Sequence, residues 1–259
     1  MKKAIISVVL LLLITAVFCA DKKEEISVTI LYDNYLFTEG LKTDWGFACL
    51  INGTEKTILF DTGRYGETFL YNIDALTVNP QDAELTVLSH FHDDHVDGLI
   101  PFLGRNSDLS IYMPVSFPDS FKNEVAEKGA EVISVTDPVN ICKNVYLTGE
   151  MGAEIKEQAI ILDTEKGVVL ITGCAHPGIV DIIKRTKEVV KKDIYLVCGG
   201  FHLSRHSEDE VKKIISEFKE LGVMNAGPTH CTGKRAIELF KEAYGENFVQ
   251  LGAGRVLMF

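Results

Sequence analysis

The sequence contains no cluster of lysines and arginines. Its 26 basic side chains face 37 acidic ones, for a net charge of −11, and a protein that grips phosphate backbones needs basic groups gathered on one face. Nucleic acid is thereby excluded as a partner reached through a basic surface. The six cysteines include no CxxC pair, so neither a zinc knuckle nor a disulfide framework is legible in their spacing. No repeat, low-complexity stretch or long linker interrupts the 259 residues. With 46% hydrophobic and 24% charged residues, one α/β domain with a real core is the simplest reading.

Only one long apolar run exists, from Ala4 to Phe18, and it falls short of the roughly 20 residues a membrane span needs. It follows Lys2-Lys3 and gives way abruptly to Asp21-Lys22-Lys23-Glu24-Glu25. Residues 1–20 therefore read as a signal peptide or lipoprotein signal, and residues 21–259 as the mature domain. Cys19 stands where bacterial lipoproteins carry an acylated cysteine, although Phe18 before it is bulky for that signal. Export is expected, with the mature chain periplasmic, tethered through Cys19 or secreted. Cys49, Cys142 and Cys198 read as small buried apolar residues.

Strands are expected at Ser27 to Leu31, Phe47 to Asn52, Lys56 to Phe60 and Leu85 to Ser89, then at Gln158 to Asp163, Val168 to Thr172, Ile194 to Val197 and Phe248 to Leu251. Ser207 and Glu210 form a capping box ahead of Val211, Ile214, Ile215, Phe218 and Leu221 at helical spacing. Pro177 is expected to open a second helix carrying Ile179, Ile182, Ile183 and Val190, and Gly233 to Tyr244 gives a third. Strands interleaved with helices give the class α/β.

Six of the seven histidines directly follow strand-like runs, with His206 the exception. Ligand sites of α/β proteins assemble at the carboxyl ends of strands, so these segments can converge on one edge. Within Ser89-His90-Phe91-His92-Asp93-Asp94-His95, His90 and His92 lie two apart. In an extended chain both imidazoles then face one side and can share an ion, while the following turn brings Asp94 and His95 toward a second position. That arrangement suits one or two divalent ions. His176, His230 and His202 are further candidate ligands, His202 equally a substrate-facing acid or hydrogen-bond donor. Asp61, at the end of a strand, is either an outer carboxylate taking a ligand imidazole's other N–H or an Asx turn.

Residues His90 to His95 resemble the metallo-β-lactamase superfamily, and Leu59-Phe60-Asp61-Thr62-Gly63 resembles the strand before its metal loop. Thr172 to Ile179, Gly199 to Leu203 and Pro228 to Gly233 look like the subgroup labelled 7,8-dihydropterin-6-methyl-4-(β-D-ribofuranosyl)-aminobenzene-5′-phosphate synthase. The resemblance implies an αββα sandwich with the metal site at one edge between the sheets, and it favours the outer-carboxylate role for Asp61. It also exposes a departure. The superfamily's third histidine and the bridging aspartate of its Gly-Asp pair are missing: no histidine lies between Lys143 and Gly173, and the pair is Gly173-Cys174. Either Cys174 supplies a thiolate or His176 reaches in from the next turn, and β-lactam hydrolysis is not expected.

The leading expectation is an exported zinc-dependent hydrolase of an anionic ester or phosphoester, with His90, His92 and His176 on one ion and Asp94, His95 and His230 on another. Asp94 would orient or deprotonate the attacking water. The alternatives are a pterin-related synthase of the same fold and a non-catalytic lipoprotein that binds a ligand through its metal.

Overall fold

The computed structural model describes residues 25–259; the expected signal over residues 1–20, Cys19 included, lies outside the described residues. No helix among the described residues is long and apolar enough to cross a membrane. The first half of the chain runs β1 (Ser27–Tyr32), β2 (Ala48–Asn52), β3 (Ile58–Phe60), α1 (Gly66–Ala75), β4 (Leu85–Val87), α2 (Asp93–Val96), α3 (Leu99–Leu103), β5 (Ser110–Pro114), α4 (Asp119–Glu127) and β6 (Glu131–Val135). The second runs β7 (Val139–Cys142), β8 (Val145–Leu147), β9 (Ile160–Thr164), β10 (Gly167–Thr172), α5 (Ile179–Val190), β11 (Ile194–Gly200), α6 (Glu208–Glu220), β12 (Asn225–Thr229), α7 (Lys234–Tyr244) and β13 (Val256–Met258).

These strands form two sheets, β13-β1-β2-β3-β4-β5-β6 and β12-β11-β10-β9-β8-β7. The two-residue period of a strand decides what each sheet covers. Ile58 and Phe60 of β3 face Val169 and Ile171 of β10 in the core between the sheets. Leu59 turns outward to a layer built with Phe69, Ile73, Leu99 and Phe102, and Val168 and Leu170 turn outward onto Ile179, Ile183, Ile215 and Phe240. Helices thus cover both outer faces of an αββα sandwich, as the class α/β requires.

The part that matters for chemistry is parallel. β3, β4, β5 and β6 run parallel in one sheet, and β10, β11 and β12 in the other. Their carboxyl ends therefore gather along one edge. Two expectations fail. Phe248 to Leu251 makes no strand, only an isolated bridge from Phe248 to Ala226. Pro177 does not open its helix: Ala175 at φ 63° and Gly178 at φ 97° are still turning the chain out of the sheet edge, so helical geometry begins at Ile179.

Ile171 is fully buried between the sheets. Ile171→Ala is expected to cost about 2–5 kcal/mol, read by urea unfolding in the presence of chelator so that metal linkage does not enter.

Candidate metal centre

After β4 the chain bends at His90 and Phe91, where the His92 N–H bonds the His90 carbonyl at 3.2 Å, so that a tight turn and not an extended run brings His90 Nε2 to 3.1 Å from His92 Nδ1. His176, in the loop after β10, sets its ring 4.7 Å from that of His90 and 4.9 Å from that of His92. The short α2 then reverses the chain and presents Asp94 and His95 to the neighbouring position. There His95 Nε2 lies 3.2 Å from His230 Nε2, and Asp94 Oδ2 lies 3.2 Å from His230 Nε2 and 3.6 Å from His95 Nε2. Cys174 Sγ stands 3.3 Å from both imidazole nitrogens and also groups with His90 and His176. Cys174 and His176 were alternatives in the sequence; both reach the cage.

Hydrogen bonds behind the cage aim these nitrogens. Asp61, buried and held at φ 55°, accepts from the Ser89 backbone N–H at 2.7 Å, from the Ser89 hydroxyl at 2.7 Å and from His95 Nδ1 at 2.7 Å. Having donated its hydroxyl proton to Asp61, Ser89 accepts from His90 Nδ1 at 2.9 Å. Both histidines are thereby fixed with Nε2 turned to the cage. Asp61 does more than cap a strand end.

The sequence did not reveal two further groups. Asn34, after β1, accepts from His230 Nδ1 at 2.9 Å and donates to the His230 carbonyl at 3.2 Å. Glu157, fully buried, accepts the backbone N–H groups of Cys174, Ala175 and His176 at 2.8 to 2.9 Å. His202 is exposed; its ring lies 4.4 Å from that of His176, outside the seven-residue cage.

The electrostatics favour a bound cation. Burial, then the imidazoles of His95 and His176, hold the His90 pKa far below its ordinary value, and burial beside His202 pushes His176 down to about 3. Burial opposes charge on His95 as well, but Asp61 outweighs it and holds that imidazole up at about 9. Burial also opposes the Asp94 carboxylate, yet His230 and His95 hold its pKa below the usual range. Imidazole nitrogens approach one another at 3.1 and 3.2 Å, gaps that a shared proton or a bound cation can fill, and His176 Nε2 is a buried nitrogen with no protein hydrogen-bond partner. Five imidazoles, one carboxylate and one thiol fit a divalent ion, with zinc, iron and manganese all within their chemistry.

The purified chain is expected to carry between about one and two equivalents of divalent metal. His92→Ala should lose most of it, and Asp61→Asn should weaken metal affinity by about 10–100-fold while leaving the ligands in place. Elemental analysis decides; full metal content in His92→Ala would sink the cage.

Three comparisons bear on this geometry. The 7,8-dihydropterin-6-methyl-4-(beta-D-ribofuranosyl)-aminobenzene-5′-phosphate synthase of Methanocaldococcus jannaschii is 29% identical, covering 92% of this chain and 98% of its own. The solved structure of Tm1679, described as a metal-dependent hydrolase of the beta-lactamase superfamily, superposes with a TM-score of 0.74 at 29% identity, over 90% of this chain and 98% of that one. The metallo-beta-lactamase fold protein YhfI of Bacillus subtilis superposes at 0.70 with 16% identity, over 92% and 100%, a likeness of fold alone. Residues 46–184, from the approach to β2 through the first turns of α5, match the Metallo-beta-lactamase superfamily, and with the sandwich and the histidine-lined sheet edge in place, the chain belongs to that superfamily.

Proposed function

We propose that the chain is a metal-dependent synthase that joins an activated pterin to a phosphorylated ribofuranosyl-aminobenzene, the chemistry for which its Methanocaldococcus relative is named. The observation that carries the reading is that this relative aligns along almost its whole length. Joining the two parts forms a carbon–nitrogen bond at the pterin methyl carbon. The bond from that carbon to an anionic leaving group breaks, and the amine gives up a proton.

Ions held by His90, His92 and His176 and by Asp94, His95, Cys174 and His230 would supply positive charge against the leaving group, or acidity to a water in a hydrolase. Asp94, 3.2 Å from His230 Nε2 at the edge of the cage, would accept the proton. Flat aromatic surface lies beside the cage. Trp45 packs its ring 5.1 Å from that of His230 and is 47% exposed, and Phe91, between the two histidines of the loop, is 43% exposed and braced by Phe117 and Phe121 at 5.3 and 5.2 Å. Such faces suit a planar heterocycle better than a small ester.

A metal-dependent hydrolase of a small anionic ester or phosphoester is the second reading, favoured by the likeness to Tm1679. Incubation of the metal-loaded chain with a pterin bearing a diphosphate leaving group and the ribofuranosyl-aminobenzene phosphate is expected to give the joined product by mass spectrometry. Trp45→Ala should raise KM by about two- to tenfold with metal content unchanged. Turnover of phosphodiesters, thioesters or lactones without joined product would favour the hydrolase. Ligand retention without turnover would favour a binding protein.

Export from residues 1–20, with a lipid tether at Cys19, is proposed as part of the hydrolase reading alone. Labelled palmitate is expected in the wild type and not in Cys19→Ala, and equal labelling, or none in either, removes the tether. A pterin substrate belongs in the cytosol, so recovery of the mature chain outside it would count for the hydrolase.

A further inference from the structure

Cys231 takes no part in the cage, yet its sulfur lies beside it. Its thiol donates to the Cys174 carbonyl at 3.6 Å, and Cys231 Sγ, Cys174 Sγ and a ring nitrogen of His202 all fall within 4.8 Å of one another. The three residues follow β12, β10 and β11, which are neighbours in one sheet. The juxtaposition is therefore set by strand pairing and not by a chance meeting of loops.

The surroundings separate these two thiols from the others. Cys49 and Cys198 are packed in the hydrocarbon core between the sheets, where a thiol acts as a small apolar group. Cys174 and Cys231 are equally buried, at 3% exposure each, but belong to none of the hydrophobic clusters; their neighbours are imidazoles and backbone carbonyls. Space has been made for the second sulfur. A Cβ on Gly200 would collide first with the Gly173 carbonyl and then stand 2.8 Å from Cys231 Sγ, so the backbone contact requires glycine there and the sulfur occupies space that the glycine leaves. Two residues on, His202 holds the left-handed φ of 54°, which non-glycine residues adopt at a cost.

Two sulfurs and one imidazole are a softer donor set than the five imidazoles, one carboxylate and single thiol of the cage. Three protein donors, one of them on the solvent side, also match an exchangeable site better than a closed structural one. His202, the exposed donor, lines with His176, Pro177, Lys184 and His206 a groove of about 410 Å³, through which an ion and its fourth ligand can come and go.

We propose that Cys174, Cys231 and His202 form a second, soft-metal site that shares the sulfur of Cys174 with the histidine cage and is selective for a thiophilic ion such as zinc, cadmium or copper(I). The proposal concerns metal alone and is independent of the substrate reading.

The test is a Cd²⁺ titration of the purified, reduced full chain with the metal it already carries, followed by ultraviolet thiolate-to-cadmium absorption. The wild type is expected to develop the absorption of two thiolates, and Cys231→Ser to lose roughly half of it, because one of two sulfur donors is gone. His202→Ala should keep the absorption but need about tenfold more Cd²⁺ to reach it. An undiminished band in Cys231→Ser overturns the proposal, as does complete loss of the band in Cys174→Ser alone. Wild-type protein with thiols trapped at lysis, showing a mass short by two hydrogens and Cys174 linked to Cys231, would make the pair a disulfide and also overturns it. Should Cys231→Ser fail to fold, the exposed His202→Ala carries the test, and an unchanged Cd²⁺ affinity there is fatal.

Discussion

A single buried carboxylate ties the active edge together. Asp61 sits where β3 ends and accepts three hydrogen bonds, two from Ser89 and one from His95. Ser89 passes the constraint on to His90. One side chain thus fixes the spacing of two parallel strand ends, the start of the histidine loop and the orientation of two imidazoles. A carboxylate is tolerable in that interior only because its oxygens are hydrogen-bonded. Gly173 lets the opposite sheet close on the same point, since a Cβ there would collide with the Ser89 hydroxyl.

The opposite sheet has its own anchors. Glu157 collects three consecutive backbone N–H groups of the loop that carries Cys174 and His176, and burial raises its pKa to about 7. Asp33 accepts the Thr229 hydroxyl at 2.7 Å while Asn34 holds His230. Asp61, Ala175, His202 and His230 all adopt positive φ, at a cost on the order of 1–3 kcal/mol each. Strain placed at the ends of paired strands is held there by the sheets, which is how a loop site gains the precision of a rigid one.

The legible part of this protein was the part whose partners lie nearby in sequence. His90, His92, Asp94 and His95 declare themselves by spacing, the α6 capping box by Ser207 and Glu210, and β3, β10 and β11 by unbroken apolar runs. β6 and β7 were invisible because they lie at sheet edges with half-exposed side chains, so no alternation marks them. Asn34 and Glu157 were invisible for another reason. Their roles exist only across separations of 196 and about 18 residues, and nothing in a lone Asn or Glu announces a histidine or a loop to be held. The split between Cys174 and His176 could not be resolved from sequence, because the turn at Ala175 that sends them to different sides of the cage is a property of backbone conformation.

The cage is held in shape by protein hydrogen bonds. Asp61, Ser89, Asn34 and Glu157 set its walls through contacts that no ion makes. Its donors suit several divalent ions. The ion found inside would then record which metal was plentiful where the chain folded, so that one chain grown in two media could be recovered with two different ions.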